Sequence, residues 1–295
     1  MTAPLPRVAV VGAGLMGAQI GCEYALAGCP VVWIVRDRAR AEARIERALE
    51  LVLRYELADA ETVALARQRM EYCTQADGPD EALGLIVESL PESLEVKAEA
   101  LGELCARHPE AVLATNTSSI SITALGEAAG VAERIVGTHY WNPPLLMPLV
   151  EVVAGGQAPV ELRDRIAGLL RAIGKRPVVL DREVPGLLWN RLQLAVLREC
   201  LWLVDNEVAS PEAIDEVMRD GLARRWRLTG PFETVGLGGA GTFDAIAANL
   251  FPVLSNAAEG TGFGPHVPTE PDLLAALRER RDGALAEDLR AERSE

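Results

Sequence analysis

Three histidines occur in the chain, and one of them is set where an imidazole can act on a substrate. His139 ends the apolar run Ile135-Val136-Gly137-Thr138-His139, ahead of Tyr140-Trp141-Asn142-Pro143-Pro144. Ligands of open α/β sheets bind beyond the carboxyl ends of the strands, so a base placed there meets them. It can take the proton of a substrate hydroxyl while hydride leaves the same carbon. His108 and His266 stand in polar, proline-flanked loops and read as bystanders. Further on, Glu151 lies in Leu149-Val150-Glu151-Val152-Val153. A lone carboxylate in such a strand is costly unless it is paired. Pairing with His139 satisfies it and steadies the imidazolium formed during oxidation. A buried structural ion pair fits the same spacing equally well.

Two more polar groups interrupt apolar stretches. Thr115-Asn116-Thr117-Ser118-Ser119 closes a strand; its hydroxyls and amide can bond a ribose or polarise a substrate oxygen, or simply cap a helix. Asn190 is polar on an otherwise apolar helix beginning after Val184-Pro185-Gly186, and a satisfied core amide fits it as easily as a site role.

Gly12-Ala13-Gly14-Leu15-Met16-Gly17 follows a short β-branched run and opens a helix. The first glycine permits the tight turn, the second lets backbone N–H groups approach a pyrophosphate, and the third allows close helix–strand packing. Phosphates then sit at a helix N-terminus, where unpaired N–H groups favour anions. At the end of the next strand an acidic residue would bind the adenosine ribose and favour NAD. Val35 holds that place, followed by Arg36, Asp37 and Arg38. A guanidinium suits a 2′-phosphate, so NADP is favoured over NAD. Asp37 taking the ribose with a small shift, or a merely solvated arginine loop, are the alternatives.

These groups need elements to position them. Strand-like runs at Arg7–Val11 and Val31–Val35 flank the helix of Ala18–Leu26, a βαβ unit. Residues 39–72 have helix-like composition, with a break near Ala58–Ala60. Further strands are expected at Leu85–Val87, Val112–Thr115, Ile135–Thr138, Leu149–Val153 and Pro177–Leu180, with helices between them. The fold class is therefore α/β, a Rossmann-type, mostly parallel sheet domain over 1–183. A smaller all-α domain follows over 184–295, with helices at Leu187–Asn206, Pro211–Gly221, Thr242–Asn256 and Asp272–Glu292. The Gly- and Pro-rich stretch 255–268 either shapes a pocket or stays mobile.

Composition narrows the partners. Twenty-nine Lys plus Arg against 43 Asp plus Glu give a formal charge of -14, which repels phosphate backbones and anionic lipid. Neither nucleic acid nor membrane is expected as a partner, and apolar runs such as Val31–Val35 fall far short of a ~20-residue span. Five cysteines without a close C-x-x-C pair suit reduced thiols, no metal site and a cytoplasmic setting.

In order along nearly the whole chain, Gly12–Gly17, Glu92-Ser93-Leu94-Glu95-Val96-Lys97, Asn116–Ser119, His139–Glu151 and Pro185–Arg191 resemble the 3-hydroxyacyl-CoA dehydrogenase family. The resemblance implies reversible oxidation of a 3-hydroxy group to a ketone, with hydride passing to the nicotinamide ring. It makes His139 the general base and Glu151 its partner. Ser118 and Asn190 become groups that bind the reacting oxygen and hold the substrate, while Glu92, Lys97 and Asn116 fall beside the nicotinamide half of the cofactor. A homodimer is implied as well.

Within the family, Gly221–Gly230 followed by Pro231-Phe232-Glu233-Thr234 resembles the L-gulonate 3-dehydrogenase (lambda-crystallin) and carnitine dehydrogenase branch. Pro143-Pro144 and Met147-Pro148 resemble a pyridine-carboxylate dehydrogenase. Pro148 stands where acyl-CoA members carry lysine, and 39–72 has no lysine, although Arg44, Arg47 or Arg54 can still meet CoA phosphates. One of Arg219, Arg224, Arg225 and Arg227 can clamp a substrate carboxylate, although for any single arginine a solvated helix end is the plainer reading. A small 3-hydroxy acid is thus the leading substrate, a 3-hydroxyacyl thioester the alternative, and a non-catalytic, crystallin-like nucleotide binder the third reading.

Overall fold

The computed structural model describes residues 5–74, 78–257 and 262–294. Its chain forms two compact units, one running to Leu188 and resuming at Ala276, the other comprising Trp189–Ala275.

The first unit is built on eight strands: β1 (Val8–Val11), β2 (Val31–Ile34), β3 (Met70–Cys73), β4 (Leu85–Glu88), β5 (Val112–Thr115), β6 (Ile135–Tyr140), β7 (Leu149–Ala154) and β8 (Arg176–Val179). They lie in the order β3-β2-β1-β4-β5-β6-β7-β8, all neighbours parallel except β6 with β7. Strands β1, β2, β4 and β5 are buried along their whole length, as continuous apolar runs under helices on both faces require. Helices α1 (Leu15–Leu26), α2 (Arg38–Arg54), α3 (Ala60–Gln68), α4 (Leu94–Arg107), α5 (Ile122–Ala128) and α6 (Val160–Ala172) cover them. Asp37, Asp59, Ser93 and Ser121 accept first-turn amides at the starts of α2, α3, α4 and α5, which fixes where each helix begins. The strand order reverses between β1 and β4, and a ligand crevice opens at the carboxyl ends of strands at such a point.

One strand had no sequence signature. β3 begins within the stretch of helix-like composition, because an edge strand that is only half-buried needs no apolar run.

The second unit is helical: α7 (Trp189–Asp205), α8 (Pro211–Glu216) continuing through the π-helical turn Val217–Ala223 into α9 (Arg224–Trp226), then α10 (Pro231–Gly238) and α11 (Ala240–Leu250). Helix α10 was not foreseen; glycines at 230, 236, 238 and 239 mask a short segment opened by Pro231. Residues 258–261 of the Gly- and Pro-rich stretch lie outside the described residues. The final helix, α12 (Pro271–Ser294), returns to the first unit from Ala276 onward.

Candidate active site

Antiparallel pairing sets His139 of β6 directly opposite Glu151 of β7. The His139 Nδ1 and the Glu151 Oε2 are 2.6 Å apart, and the Glu151 side chain is 1% exposed. A carboxylate stripped of water to that degree needs compensating donors. It has two more. The Leu188 amide donates to Oε1 at 2.7 Å, and the Trp141 indole N–H donates to Oε2 at 3.4 Å. With Nδ1 tied to the carboxylate, Nε2 is the ring nitrogen left for proton exchange. Asn116 links the neighbouring strand ends, its Oδ1 accepting the Tyr140 amide at 2.8 Å.

A second polar cluster occupies the carboxyl ends of β4 and β5. Glu92 Oε1 accepts the Thr117 hydroxyl at 2.6 Å and the amides of Ser118 and Ser119 at 2.9 and 2.8 Å. Partial burial pushes this carboxyl up, but the Thr117 hydroxyl, the Ser119 amide, the Lys97 ammonium and the Ser118 amide outweigh it and hold the pKa at about 2. The Ser118 hydroxyl also leans on Glu92, at 3.4 Å. Lys97 is fully buried between Glu88, at 2.6 Å, and Glu92, at 3.2 Å. Glu88 in turn accepts the Thr115 hydroxyl at 2.6 Å and the Leu90 amide at 2.5 Å. So Lys97 and Glu92 form the frame of the 116–119 loop, and that frame lies beside the strand ends.

The glycine turn fits a dinucleotide phosphate. Gly12 has φ +96°, and a Cβ there would meet the Ser89 carbonyl at 2.6 Å; one on Gly17 would meet the Gly12 carbonyl at 2.2 Å. Around Gly14, by contrast, a Cβ would meet nothing within 4 Å. Gly14 opens α1 with no side chain capping the first-turn amides and no acid in that turn, so these N–H groups face an open cradle suited to an anion. Leu15 and Met16 begin the helix itself, and Leu15 is exposed. The Arg44 guanidinium braces the turn, donating to the Ala13 carbonyl at 3.0 Å.

At the end of β2, Val35 is half-buried and Arg36 exposed. Asp37 spends a carboxylate oxygen on the Arg40 amide at 3.0 Å. Arg38 pairs with Glu42 at 2.8 Å and lies over the Tyr72 ring, 5.2 Å from its centroid.

Of the remaining candidates, Asn190 is the second residue of α7 in the other unit. The arginines at 219, 224, 225 and 227 also belong to that unit, Arg219 3.6 Å from Asp215. His266 lies 3.7 Å from Asp205 there. His108 is not in an open loop as its neighbours suggested: it is buried at the end of α4. Arg54 is engaged by Glu279. Among the described residues no group of three His, Cys, Asp or Glu is placed to hold a metal.

Sequence reasoning missed Glu88 and Trp141, named Thr117 only as one of a polar cluster, and offered Arg44 to CoA phosphates rather than to the glycine turn. For Glu88 the signal existed, an acid closing the apolar strand Leu85-Ile86-Val87, which is the same argument that singled out Glu151.

With this geometry in view, the similarities are informative. Residues 7–184 match the NAD binding domain of 3-hydroxyacyl-CoA dehydrogenase, and 186–265 match its C-terminal domain. The chain is 31% identical over 255 residues to 5-formyl-3-hydroxy-2-methylpyridine 4-carboxylate 5-dehydrogenase of Mesorhizobium japonicum, covering 85% of this chain and 81% of that protein. It is 34% identical over 277 residues to L-carnitine dehydrogenase of Nocardiopsis dassonvillei, covering 92% and 81%. The crystal structure of a 5-formyl-3-hydroxy-2-methylpyridine 4-carboxylic acid 5-dehydrogenase, an NAD+-dependent dismutase, is similar at TM-score 0.87 and 25% identity, covering 98% of both chains.

Proposed function

The chain belongs to the 3-hydroxyacyl-CoA dehydrogenase family, and from that premise we propose that it is an NAD(P)-dependent dehydrogenase of a small free 3-hydroxy acid. The observation that carries this reading is the buried 2.6 Å contact between His139 Nδ1 and Glu151 Oε2. Because Nδ1–H is given to the carboxylate, the neutral ring keeps its lone pair on Nε2, which takes the proton of the substrate hydroxyl. Glu151 stays ionised and stabilises the imidazolium so formed. A bound nicotinamide dinucleotide supplies the hydride acceptor. Gly12, Gly14, Leu15, Met16 and Gly17 hold its pyrophosphate. Glu92, Lys97 and Asn116 serve the nicotinamide half, the buried Lys97 acting through Glu92. Ser118 binds the reacting oxygen. Asn190 is assigned to the substrate by its motif alone.

The cofactor preference we infer is NADP. Supporting it are the missing acid at Val35, the engagement of Asp37 by the Arg40 amide, and an exposed Arg36 that has no hydrogen-bond or ion-pair partner among the described residues. A free acid rather than a thioester is supported by Pro148 and by the internal engagement of Arg44 and Arg54. It is also supported by relatives named for carnitine and a pyridine carboxylate. The protein works as a cytoplasmic homodimer. The support for these is five free thiols and the exposed large apolar side chains of the second unit, Phe232 among them at 91%.

A panel of free 3-hydroxy acids beside 3-hydroxybutyryl-CoA, each with NAD and NADP, tests the reading. Turnover of a free acid with a lower KM for NADP is expected. A strong thioester preference would move the substrate to CoA esters; cofactor binding without hydride transfer to any compound would leave a non-catalytic nucleotide binder.

A further inference from the structure

The connector between β6 and β7, residues 141–148, is held by a charge that the chemistry above does not use. Three of its residues are prolines (Pro143, Pro144 and Pro148) and have no amide proton to spend on turn bonds. The Pro143 carbonyl takes the Leu146 and Met147 amides. The Pro144 and Met147 carbonyls are served instead by Lys175 Nζ, at 2.7 and 3.2 Å, and the third ammonium donor goes to Glu23 Oε1 at 2.6 Å. Lys175 and Glu23 are both buried, their side chains 2% and 7% exposed. Glu23 belongs to α1, the helix whose first turn opens the phosphate cradle. One turn earlier on the same helix, the Gln19 side-chain Oε1 accepts the Leu145 amide at 3.3 Å, and the Tyr24 hydroxyl next to Glu23 accepts the Tyr140 hydroxyl at 3.3 Å.

We propose that Lys175 is a positioning residue for the His139–Glu151 pair. Its ammonium, balanced by Glu23, fastens the connector that closes the two strands to the helix that carries the cofactor turn. Glu23 stands nine residue steps beyond Gly14, the cap of α1, about 14 Å at helical rise, so the helix acts as a ruler between the phosphate cradle and the base. The inference rests on the dehydrogenase reading for its catalytic consequence, and on geometry alone for the clamp.

The test uses the full chain. Lys175→Met keeps the length of the side chain and removes the donors. It should lower kcat about 10- to 100-fold while the Kd for NADPH, read by fluorescence, changes about twofold at most. Amide hydrogen exchange at Leu145, Leu146 and Met147 should quicken roughly tenfold or more. Lys175→Met also strands the Glu23 carboxylate, so the decisive variant is Lys175→Met/Glu23→Leu, which removes both buried charges. Recovery of Tm with kcat still low and exchange still fast supports positioning. Recovery of kcat and protection together with Tm overturns it, as would an unchanged kcat in the single variant. If the single variant does not fold, the double variant alone separates the two outcomes. Wild-type inactivity on every substrate would sink the dehydrogenase reading, while exchange in the variants would still decide the clamp.

Discussion

His139 and Glu92 show how a side chain takes its role from its immediate donors and acceptors. Replacing His139 by Gln removes the proton acceptor but keeps a group of similar reach towards Glu151. Turnover should fall about 10²- to 10⁴-fold, with cofactor affinity nearly unchanged in a fluorescence titration; undiminished turnover would remove His139 as the base. Glu92 makes a different prediction. Its carboxyl is held at about 2, below the ordinary 4.5, by the 117–119 hydroxyls and amides and by Lys97, against the effect of burial. A depressed pKa contributes stability that is complete above about pH 4.5 and is lost as pH falls towards 2. The Tm difference between wild type and Glu92→Gln should therefore be constant near neutrality and shrink across that acid window. A difference that persists at pH 2 would mean the loop is not held by the ionised form. The His139–Glu151 contact was legible in the sequence because each partner is a polar group in an apolar strand. The Lys97–Glu88 pair was not: the resemblance set Lys97 beside the nicotinamide half of the cofactor, but nothing in the spacing named Glu88 as its partner.

At the scale of the element, the turn between β1 and α1 separates packing from binding. A methyl at Gly17 would press on the backbone carbonyl of Gly12, which cannot yield, whereas one at Gly14 would enter open space. Gly17→Ala should cost about 1–3 kcal/mol of stability in a denaturant titration. Gly14→Ala should melt like the wild type yet lose dinucleotide affinity, because the methyl occupies the place of the phosphate. Equal affinity in both proteins would argue against the cradle. Most strands were readable from β-branched runs bounded by glycine or polar residues. β3 escaped because Met70-Glu71-Tyr72-Cys73 follows α3 after one residue and lies at the sheet edge, where few apolar contacts are required.

On the scale of the whole chain, α12 returns to the α2–α3 corner. Glu279 pairs with Arg54, Arg290 with Glu56 at 2.6 Å, and Arg293 donates to the Leu57 carbonyl at 2.9 Å, while Ala286 and Leu289 are buried. Exposed ion pairs of this kind contribute little, so Leu289 and its neighbours supply most of the gain. Ending the chain after Ala275 should lower Tm by roughly 5–10 °C in a calorimetric scan, and an unchanged Tm would show α12 to be dispensable. Sequence periodicity announced this helix but not its destination, because heavy charge on all sides hides a narrow buried stripe. Elsewhere in the sheet, consecutive strands that pair are parallel and joined by long crossovers, but β6 and β7 meet antiparallel across an eight-residue link. Closing so short a loop forfeits little chain entropy. The imidazole and its carboxylate thus meet across a short stretch of chain, so joining them asks little of the strands farther away.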